Sequence, residues 1–216
     1  MATPKEVEVK FLVSDLKGLE QKLRERGFRC QTPSTHEINT LYDLPGQKLR
    51  HKGELLRLRC YGEKWKLTHK AKGKAGRHKS RGELETGVSD GKAMDAMLRA
   101  LGYLPSFIYE KFRAEWKDDE GNVVLDHTPI GEIAEIEGKP RWIDRTARAL
   151  GIASKEYITK SYAELFFDWK RKTKCKAKNM TFRECEACRK NERAQTRSSR
   201  SRRNSAKPRR VRAGTR

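Results

Sequence analysis

The stretch Glu6-Val7-Glu8-Val9-Lys10-Phe11-Leu12-Val13 has the clear alternation of a β-strand. Residues two apart on a strand lie on the same face, so Glu6, Glu8 and Lys10 share one face while the apolar residues between them lie on the other. One strand with a charged face is ordinary on a solvated sheet. This stretch becomes informative because the same pattern recurs along the chain.

Five further segments carry charged or polar residues at alternate positions, and in a sixth an apolar run is followed by an aspartate. They carry Arg57 and Arg59; Lys66, Thr68 and Lys70; Glu83 and Glu85; Lys111, Arg113 and Glu115; Asp126; and Glu135 and Glu137. Some segments are purely basic and others purely acidic, which a merely solvated surface does not require. An open sheet could expose these faces to water, whereas a closed barrel would collect them in one bore. We therefore expect a closed barrel with a charged interior.

A bore that carries both signs of charge suits metal-assisted binding of a polyanion. Arginine and lysine side chains neutralise phosphate oxygens, and the guanidinium group does so with two parallel hydrogen bonds. Carboxylates bind hard divalent cations that bridge the same oxygens. Either set of charges without the other would be mostly repulsive.

These motifs resemble the CYTH superfamily, the triphosphate tunnel metalloenzymes. The resemblance rests on Glu6-x-Glu8-x-Lys10, on Ser80-Arg81-x-Glu83-x-Glu85 and on Thr159-Lys160-Ser161-Tyr162. It implies an α+β fold with a closed eight-stranded antiparallel barrel and external helices over residues 1–170. In that barrel Lys160 and Tyr162 are expected either to seal or line one end of the tunnel or to have a structural role.

Two passages are closest to the class IV adenylyl cyclases of this superfamily. They are residues 101–113 and 124–137, with Pro129 standing where that group usually has glycine. The resemblance implies cyclisation of ATP to cyclic AMP and pyrophosphate. Hydrolysis of an inorganic or organic triphosphate is the alternative within the superfamily, and binding of polyphosphate or nucleic acid without catalysis is the alternative outside it.

Charge, supported by the resemblance, assigns roles to the predicted bore residues. Mg²⁺ or Mn²⁺ takes oxygen ligands, so the predicted metal ligands are Glu6, Glu8, Glu83, Glu85, Asp126, Glu135 and Glu137. The predicted substrate-binding cations are Arg57, Arg59, Lys66, Lys70, Lys111 and Arg113, and Lys10 and Arg113 are the predicted catalytic residues. About half of the bore charges are expected to pair with one another, because buried ions without partners destabilise a fold.

The net charge of +21 is concentrated in the last part of the chain. Residues 171–216 contain 18 Lys/Arg and three acidic residues, a charge of +15, which leaves only +6 for residues 1–170. This segment is poor in apolar residues, so we expect a basic and largely disordered tail that contacts nucleic acid or polyphosphate without sequence specificity.

The five cysteines are odd in number and unevenly spaced, which argues against a disulfide framework. Cys185-x-x-Cys188 has zinc-knuckle spacing, but with Cys175 it supplies only three ligands. No apolar run approaches the about 20 residues that span a bilayer, and the N-terminus lacks the apolar core of a signal peptide. The sequence therefore predicts a cytosolic protein without a membrane partner, and the resemblance implies a homodimer.

Overall fold

The computed structural model describes residues 5–74 and 76–188, and these residues form a closed β-barrel with helices outside it. The strands are β1 (Lys5–Leu12), β2 (Arg29–Asp43), β3 (Leu55–Tyr61), β4 (Lys64–Lys70), β5 (Lys79–Val88), β6 (Leu104–Lys117), β7 (Gly121–Thr128) and β8 (Gly131–Gly138). The helices are α1 (Leu16–Glu25), α2 (Lys48–Lys52), α3 (Gly91–Ala100), α4 (Pro140–Leu150), α5 (Tyr162–Thr173) and α6 (residues 182–188), with a 3₁₀ turn at Ser154–Glu156.

All neighbouring strands are antiparallel, and their order around the barrel is β1-β5-β4-β3-β2-β6-β7-β8. The predicted closed eight-stranded barrel is thus confirmed. Closure sends alternate side chains of every strand into a common interior.

The helices pack on the outer face of the barrel through their apolar sides. Leu23 of α1 and Trp142 and Ile143 of α4 are buried against Val9 and Phe11 of β1. The Asp15 carboxylate accepts a hydrogen bond from the Gly18 amide at 3.0 Å and so caps α1. Apolar residues of β1 therefore face the helices, and its charged residues are left for the bore.

Close packing around Trp142 requires glycine at one strand position. A Cβ atom on Gly121 would lie 2.5 Å from Cζ3 of Trp142 and 2.6 Å from the Glu137 carbonyl oxygen. The indole therefore lies directly on the backbone of β7, which fixes α4 against the barrel.

Strand β2 is 15 residues long and irregular near its start. Its pairing with β6 starts at Arg29 and passes through register shifts between Cys30 and Thr32 and between Thr32 and Thr35. Pro33 lies within this irregular part, where its missing N–H does not interrupt a regular ladder. Pairing with β6 thus continues through a segment of β2 that contains proline.

The domain boundary predicted at residue 170 lies within helix α5. Helix α5 extends to Thr173, and residues 174–188 fold against β6. The rest of the predicted tail, residues 189–216, lies outside the described residues. Among the described residues, no helix has both the length and the apolar character needed to cross a membrane.

The cysteines also depart from the sequence expectation, because Cys175 and Cys188 form a disulfide. Their pairing depends on the turn after α5, which brings the two Cα atoms within 5.5 Å. Cys175 and Cys188 are therefore bonded to each other and offer no thiolate to a metal ion. In the described part of the chain no group of three cysteines has the spacing of a zinc site.

Candidate active site: a charged bore

The barrel interior is a cavity of about 460 Å³ with a charged lining. Every predicted site residue except Asp126 lines it, including all the predicted glutamate ligands, the catalytic Lys10 and the predicted substrate-binding cations. Tyr162, at the start of α5, also lines the bore, whereas Lys160 lies outside it and pairs with Asp168 at 2.5 Å. The strand register thus brings together charges that are spread over 132 positions of the sequence, from Glu6 to Glu137.

Three carboxylates form a group that could hold a metal ion. Glu6 and Glu8 of β1 and Glu137 of β8 each offer one oxygen, and these oxygens lie within 4.8 Å of one another. The register accounts for the grouping, because Glu8 lies directly opposite Glu137 in the β1–β8 ladder. Among the described residues this is the one group of three or more potential ligands with such spacing.

The electrostatics of this trio fit a divalent cation. Burial, together with the nearby Glu135, Glu8 and Glu6 carboxylates, raises the pKa of Glu137 to about 8. Burial also opposes ionisation of Glu6, but Lys70 and Arg81 outweigh it and lower the pKa of Glu6 to about 2. An oxygen-only donor set with accumulated negative charge is what Mg²⁺ and Mn²⁺ bind.

Asp126 has a different environment from the metal-ligand candidates. It is fully buried, and its carboxylate accepts hydrogen bonds from Lys111 at 2.9 Å and from Arg113 at 2.7 and 2.6 Å. The Tyr162 hydroxyl donates a further hydrogen bond to it. Asp126 therefore anchors two bore cations from behind, and it does not contribute to the group of three carboxylates.

The cations of the bore form ion pairs with carboxylates of the barrel strands. Lys10 lies 2.7 Å from Glu8 and 3.6 Å from Glu135, and Arg113 lies 3.0 Å from Glu135. Burial opposes the charge of Lys10, but the Glu135 and Glu8 carboxylates outweigh it and raise the pKa of its ammonium group. Lys10 is therefore a charged donor at neutral pH.

The opposite wall carries Arg57 and Arg59 on β3, with Lys66 and Lys70 on β4. Glu85 lies 3.2 Å from Arg59 and 2.7 Å from Lys66, and Lys70 lies 2.8 Å from both Glu6 and Glu83. Glu83 and Glu85 thus pair with cations and lie outside the group of three carboxylates. The expected pairing of bore charges occurs on both walls.

Some donors in the bore are not satisfied by the protein. The Nε atoms of Arg57 and Arg59 are buried, and neither has a hydrogen-bond partner among the described residues. A buried donor without a partner is costly, so these atoms fit a site that an anion completes.

Sequence reasoning missed three charged residues of the site. Lys79 and Arg81 line the bore, and their two-residue spacing from Glu83 and Glu85 on β5 was the available signal. Glu37 of β2 is fully buried between Arg59 at 3.5 Å and Lys111 at 3.5 Å, and these cations together with Arg113 overcome the effect of burial and lower its pKa. Glu37 was a single acid in a mixed segment, so its location follows only from the pairing of β2 with β6.

Solved structures of other proteins share this barrel. A protein from Vibrio parahaemolyticus that is named as a candidate adenylate cyclase is 20% identical with a TM-score of 0.69, and the alignment covers 77% of this chain and 99% of that one. The PH1012 protein of Pyrococcus horikoshii is 24% identical with a TM-score of 0.65, and the alignment covers 74% of this chain and 98% of that one. A candidate adenylyl cyclase from Hippeastrum, described as having a dominant triphosphatase activity, is 19% identical with a TM-score of 0.56 over 76% of this chain and 95% of that one.

At these identities the structural similarity shows the fold, and the family follows from the sequence. No curated protein matches the chain. The CYTH domain family matches residues 4–162, which run from the first strand to the start of α5. Proteins of this family bind triphosphate substrates and use divalent metal ions. The chain, whose barrel and charged bore agree with that match, belongs to the CYTH family.

Proposed function

We propose that this protein is a metal-dependent enzyme that breaks a phosphoanhydride bond of a triphosphate held in the bore. The observation that carries the proposal is the opposition of the Glu6, Glu8 and Glu137 group to arginines whose buried Nε atoms lack partners. Cations alone would suit any anion. A carboxylate group beside them suits an anion that arrives with a divalent metal.

The residues present would hold the metal and the substrate in separate ways. Glu6, Glu8 and Glu137 would hold Mg²⁺ or Mn²⁺, which when bound supplies charge neutralisation at phosphate oxygens. Arg57, Arg59 and their neighbours would donate hydrogen bonds to the triphosphate and fix its position along the bore.

The two proposed catalytic residues act as charged donors in this scheme. The carboxylates around Lys10 keep its ammonium group protonated, so Lys10 would stabilise negative charge and would not accept a proton. Arg113 is fixed by two hydrogen bonds from its guanidinium to Asp126, which leaves its orientation little freedom. Such fixed donors stabilise the charge that develops on a leaving phosphate without reorganising during the reaction.

ATP cyclisation is the reaction that we propose first. It is supported by the resemblance of residues 101–113 and 124–137 to class IV cyclases, and by apolar lining around one bore cation. Leu41, Leu55 and Tyr109 line the bore, and Leu41 lies opposite Arg57 in the β2–β3 ladder. A nucleoside attached to the triphosphate could contact this apolar lining.

Triphosphate hydrolysis is the second candidate. It requires the same cradle and an attacking water but no nucleoside contact, and the similar Hippeastrum protein is described as having a dominant triphosphatase activity. In cyclisation the ribose 3′-oxygen attacks the α-phosphorus and pyrophosphate leaves, whereas in hydrolysis water attacks a terminal phosphorus and orthophosphate is released from tripolyphosphate.

Product analysis separates these reactions. The full chain is incubated with ATP or with tripolyphosphate, each with Mg²⁺ and separately with Mn²⁺, and the products are resolved by anion-exchange chromatography. Glu137→Gln removes one proposed metal ligand, and Glu132→Gln is the matched control because Glu132 lies on the same strand but on its outer face. We expect cyclic AMP and pyrophosphate from ATP with the wild-type protein and Glu132→Gln, and no product with Glu137→Gln.

Other outcomes change the conclusion in defined ways. Orthophosphate from tripolyphosphate without cyclic AMP would assign hydrolysis. If neither the wild-type protein nor Glu132→Gln turned over either compound, the enzymatic proposal would be rejected, and binding without catalysis would replace it. The homodimer and the contact of the tail with nucleic acid stay predictions.

A further inference from the structure

Residues 174–188, here called the strap, lie beyond the region matched by the CYTH family and pack along strand β6. The Met180 amide donates a hydrogen bond to the Ile108 carbonyl at 3.0 Å, and the Met180 carbonyl accepts one from the Glu110 amide at 3.1 Å. On its other side this part of β6 pairs with β2, while β7 pairs with β6 from Phe112 onward. The strap therefore satisfies backbone groups that β7 does not reach.

Side chains reinforce this backbone contact from both partners. The Asn179 side chain accepts a hydrogen bond from the Ile108 amide at 3.0 Å, and the Glu110 carboxylate accepts one from the Phe182 amide at 2.6 Å. The Phe182 ring contacts Phe112 of β6, with the ring centroids 5.6 Å apart. The strap is thus docked specifically on β6.

The disulfide ties the two ends of the strap together. Cys175 follows α5 directly and is buried in the same apolar cluster as Met180 and Phe166 of α5. Cys188 lies at the end of the described part of α6, and the disulfide joins it to Cys175 across 13 positions of sequence. The bond therefore closes a loop that holds Met180 against β6.

The strap is connected to the bore through a pair of tyrosines. Tyr109, whose neighbours Ile108 and Glu110 bond to the strap, accepts a hydrogen bond from Arg57 Nη1 at 3.3 Å through its hydroxyl oxygen. Its ring stacks on Tyr162 with the centroids 5.7 Å apart. Tyr162 in turn donates a hydrogen bond to Asp126, which anchors two bore cations.

We propose that the Cys175–Cys188 disulfide is a redox latch that controls triphosphate binding, with Tyr109 as the positioning residue that connects the strap to Arg57. A dithiol reductant would transfer two electrons and two protons, which breaks the S–S bond into two thiols and oxidises the dithiol to a disulfide. Once the loop is open, the strap detaches more readily from β6, and Tyr109 and Arg57 lose their fixed positions. This inference rests on the proposed binding of a triphosphate in the bore.

The first test measures the attachment of the strap and does not depend on any ligand. Hydrogen exchange of the full chain is followed by mass spectrometry in the oxidised state and after reduction with dithiothreitol, with alkylation of the released thiols to confirm which cysteines were bonded. Reduction should accelerate exchange in peptides covering residues 104–112 and 174–188, and it should lower Tm by about 6–12 °C. Cys188→Ser should reproduce the reduced state under both conditions.

Cys30→Ser is the matched control, because Cys30 is exposed on β2 and lies outside the disulfide. It should respond to dithiothreitol as the wild-type protein does. Equal exchange of oxidised, reduced and Cys188→Ser protein in these peptides would overturn the latch.

The second test measures binding of tripolyphosphate with Mg²⁺ by calorimetry. Reduction and Cys188→Ser should each weaken binding by at least about fivefold, while Cys30→Ser leaves it unchanged. Tyr109→Phe, which loses the hydroxyl that contacts Arg57 but keeps the ring, should weaken binding in both redox states without accelerating exchange in the strap. If Tyr109 had only a structural role, Tyr109→Phe would change tripolyphosphate binding and hydrogen exchange in the strap together, or would change neither.

The outcomes distinguish this inference from the proposed function. If tripolyphosphate does not bind to the oxidised wild-type protein, the proposed function is rejected, and the exchange experiment still decides whether the disulfide holds the strap. If it binds equally to oxidised and reduced protein, control of the bore by the latch is refuted, whatever the exchange data give.

Discussion

Replacing Asp126 by asparagine would remove the buried anion that Lys111 and Arg113 both contact. The change keeps the size of the side chain and one oxygen acceptor, but it leaves two buried cations with less compensating charge. Removing one partner of a buried ion pair is strongly destabilising, because the other partner stays buried without its counter-charge. We therefore expect Asp126→Asn to destabilise the barrel even in the absence of metal and substrate.

The size of the effect follows from the anions that remain. Loss of one member of a buried pair costs about 3–5 kcal/mol. Lys111 keeps Glu37 at 3.5 Å, and Arg113 keeps Glu135 at 3.0 Å, so the lower end of that range applies. For a domain of this size about 3 kcal/mol corresponds to a decrease in Tm of about 6–12 °C.

Thermal unfolding in EDTA, followed by circular dichroism, measures this effect without a contribution from bound metal. Asp119→Asn is the matched control, because Asp119 makes an ion pair with Arg29 on the exposed surface. Exposed pairs contribute little, so this control should stay within about 2 °C of the wild-type Tm.

The competing hypothesis is that Asp126 is a metal ligand, as charge and family resemblance suggested from the sequence. If Asp126 were a metal ligand among other carboxylates, its replacement would leave the Tm in EDTA unchanged or raise it. The replacement would then weaken Mn²⁺ binding. An Asp126→Asn protein that unfolds within 2 °C of wild type in EDTA would refute the assignment of Asp126 as an anchor.

Three further predictions follow from the same structure. Burial and neighbouring carboxylates raise the pKa of Glu137 in the metal-free protein from 4.5 to about 8. Protonation of Glu137 therefore stabilises the fold fully below pH 4.5, and this contribution is lost as pH rises through 8. In EDTA the wild-type Tm should fall between these pH values, and the fall should be smaller in Glu137→Gln. Gly121→Ala should cost about 1–3 kcal/mol in unfolding experiments through its clash with Trp142, whereas Gly87→Ala, whose Cβ meets no atom within 4 Å, should not. Lys66→Ala should weaken tripolyphosphate binding about fivefold in calorimetry and change Tm by less than about 2 °C, because this side chain is 44% exposed.

The strand pattern and the membership of the bore could be predicted from sequence for a definite reason. Alternation is a local property of a strand, so the inward face of β1 is readable from Glu6, Glu8 and Lys10 alone. The same holds for the caps of α1 and α3, where Asp15 and Asp90 each accept a hydrogen bond from a backbone amide within three residues.

The pairing of charges inside the bore could not be predicted in the same way. Glu137 joins Glu6 and Glu8 because β8 lies beside β1 in one register, whereas Asp126 faces two cations of β6 from the neighbouring strand. A shift of register would redistribute these partners, although the sequence pattern would stay unchanged. The division between a metal-binding group and an anchoring carboxylate is therefore a property of the closed barrel.

The amino-acid sequence by itself determined that charged and apolar faces alternate along successive strands, and that a basic excess is concentrated at the C-terminal end. These features depend on the identities of neighbouring residues, and local backbone geometry converts them into faces. Only the tertiary structure decided which carboxylates converge, that Glu37 is buried between cations, and that Cys175 meets Cys188 beside β6. Those contacts join residues far apart in the chain, and they exist because barrel closure and the turn after α5 bring distant segments together.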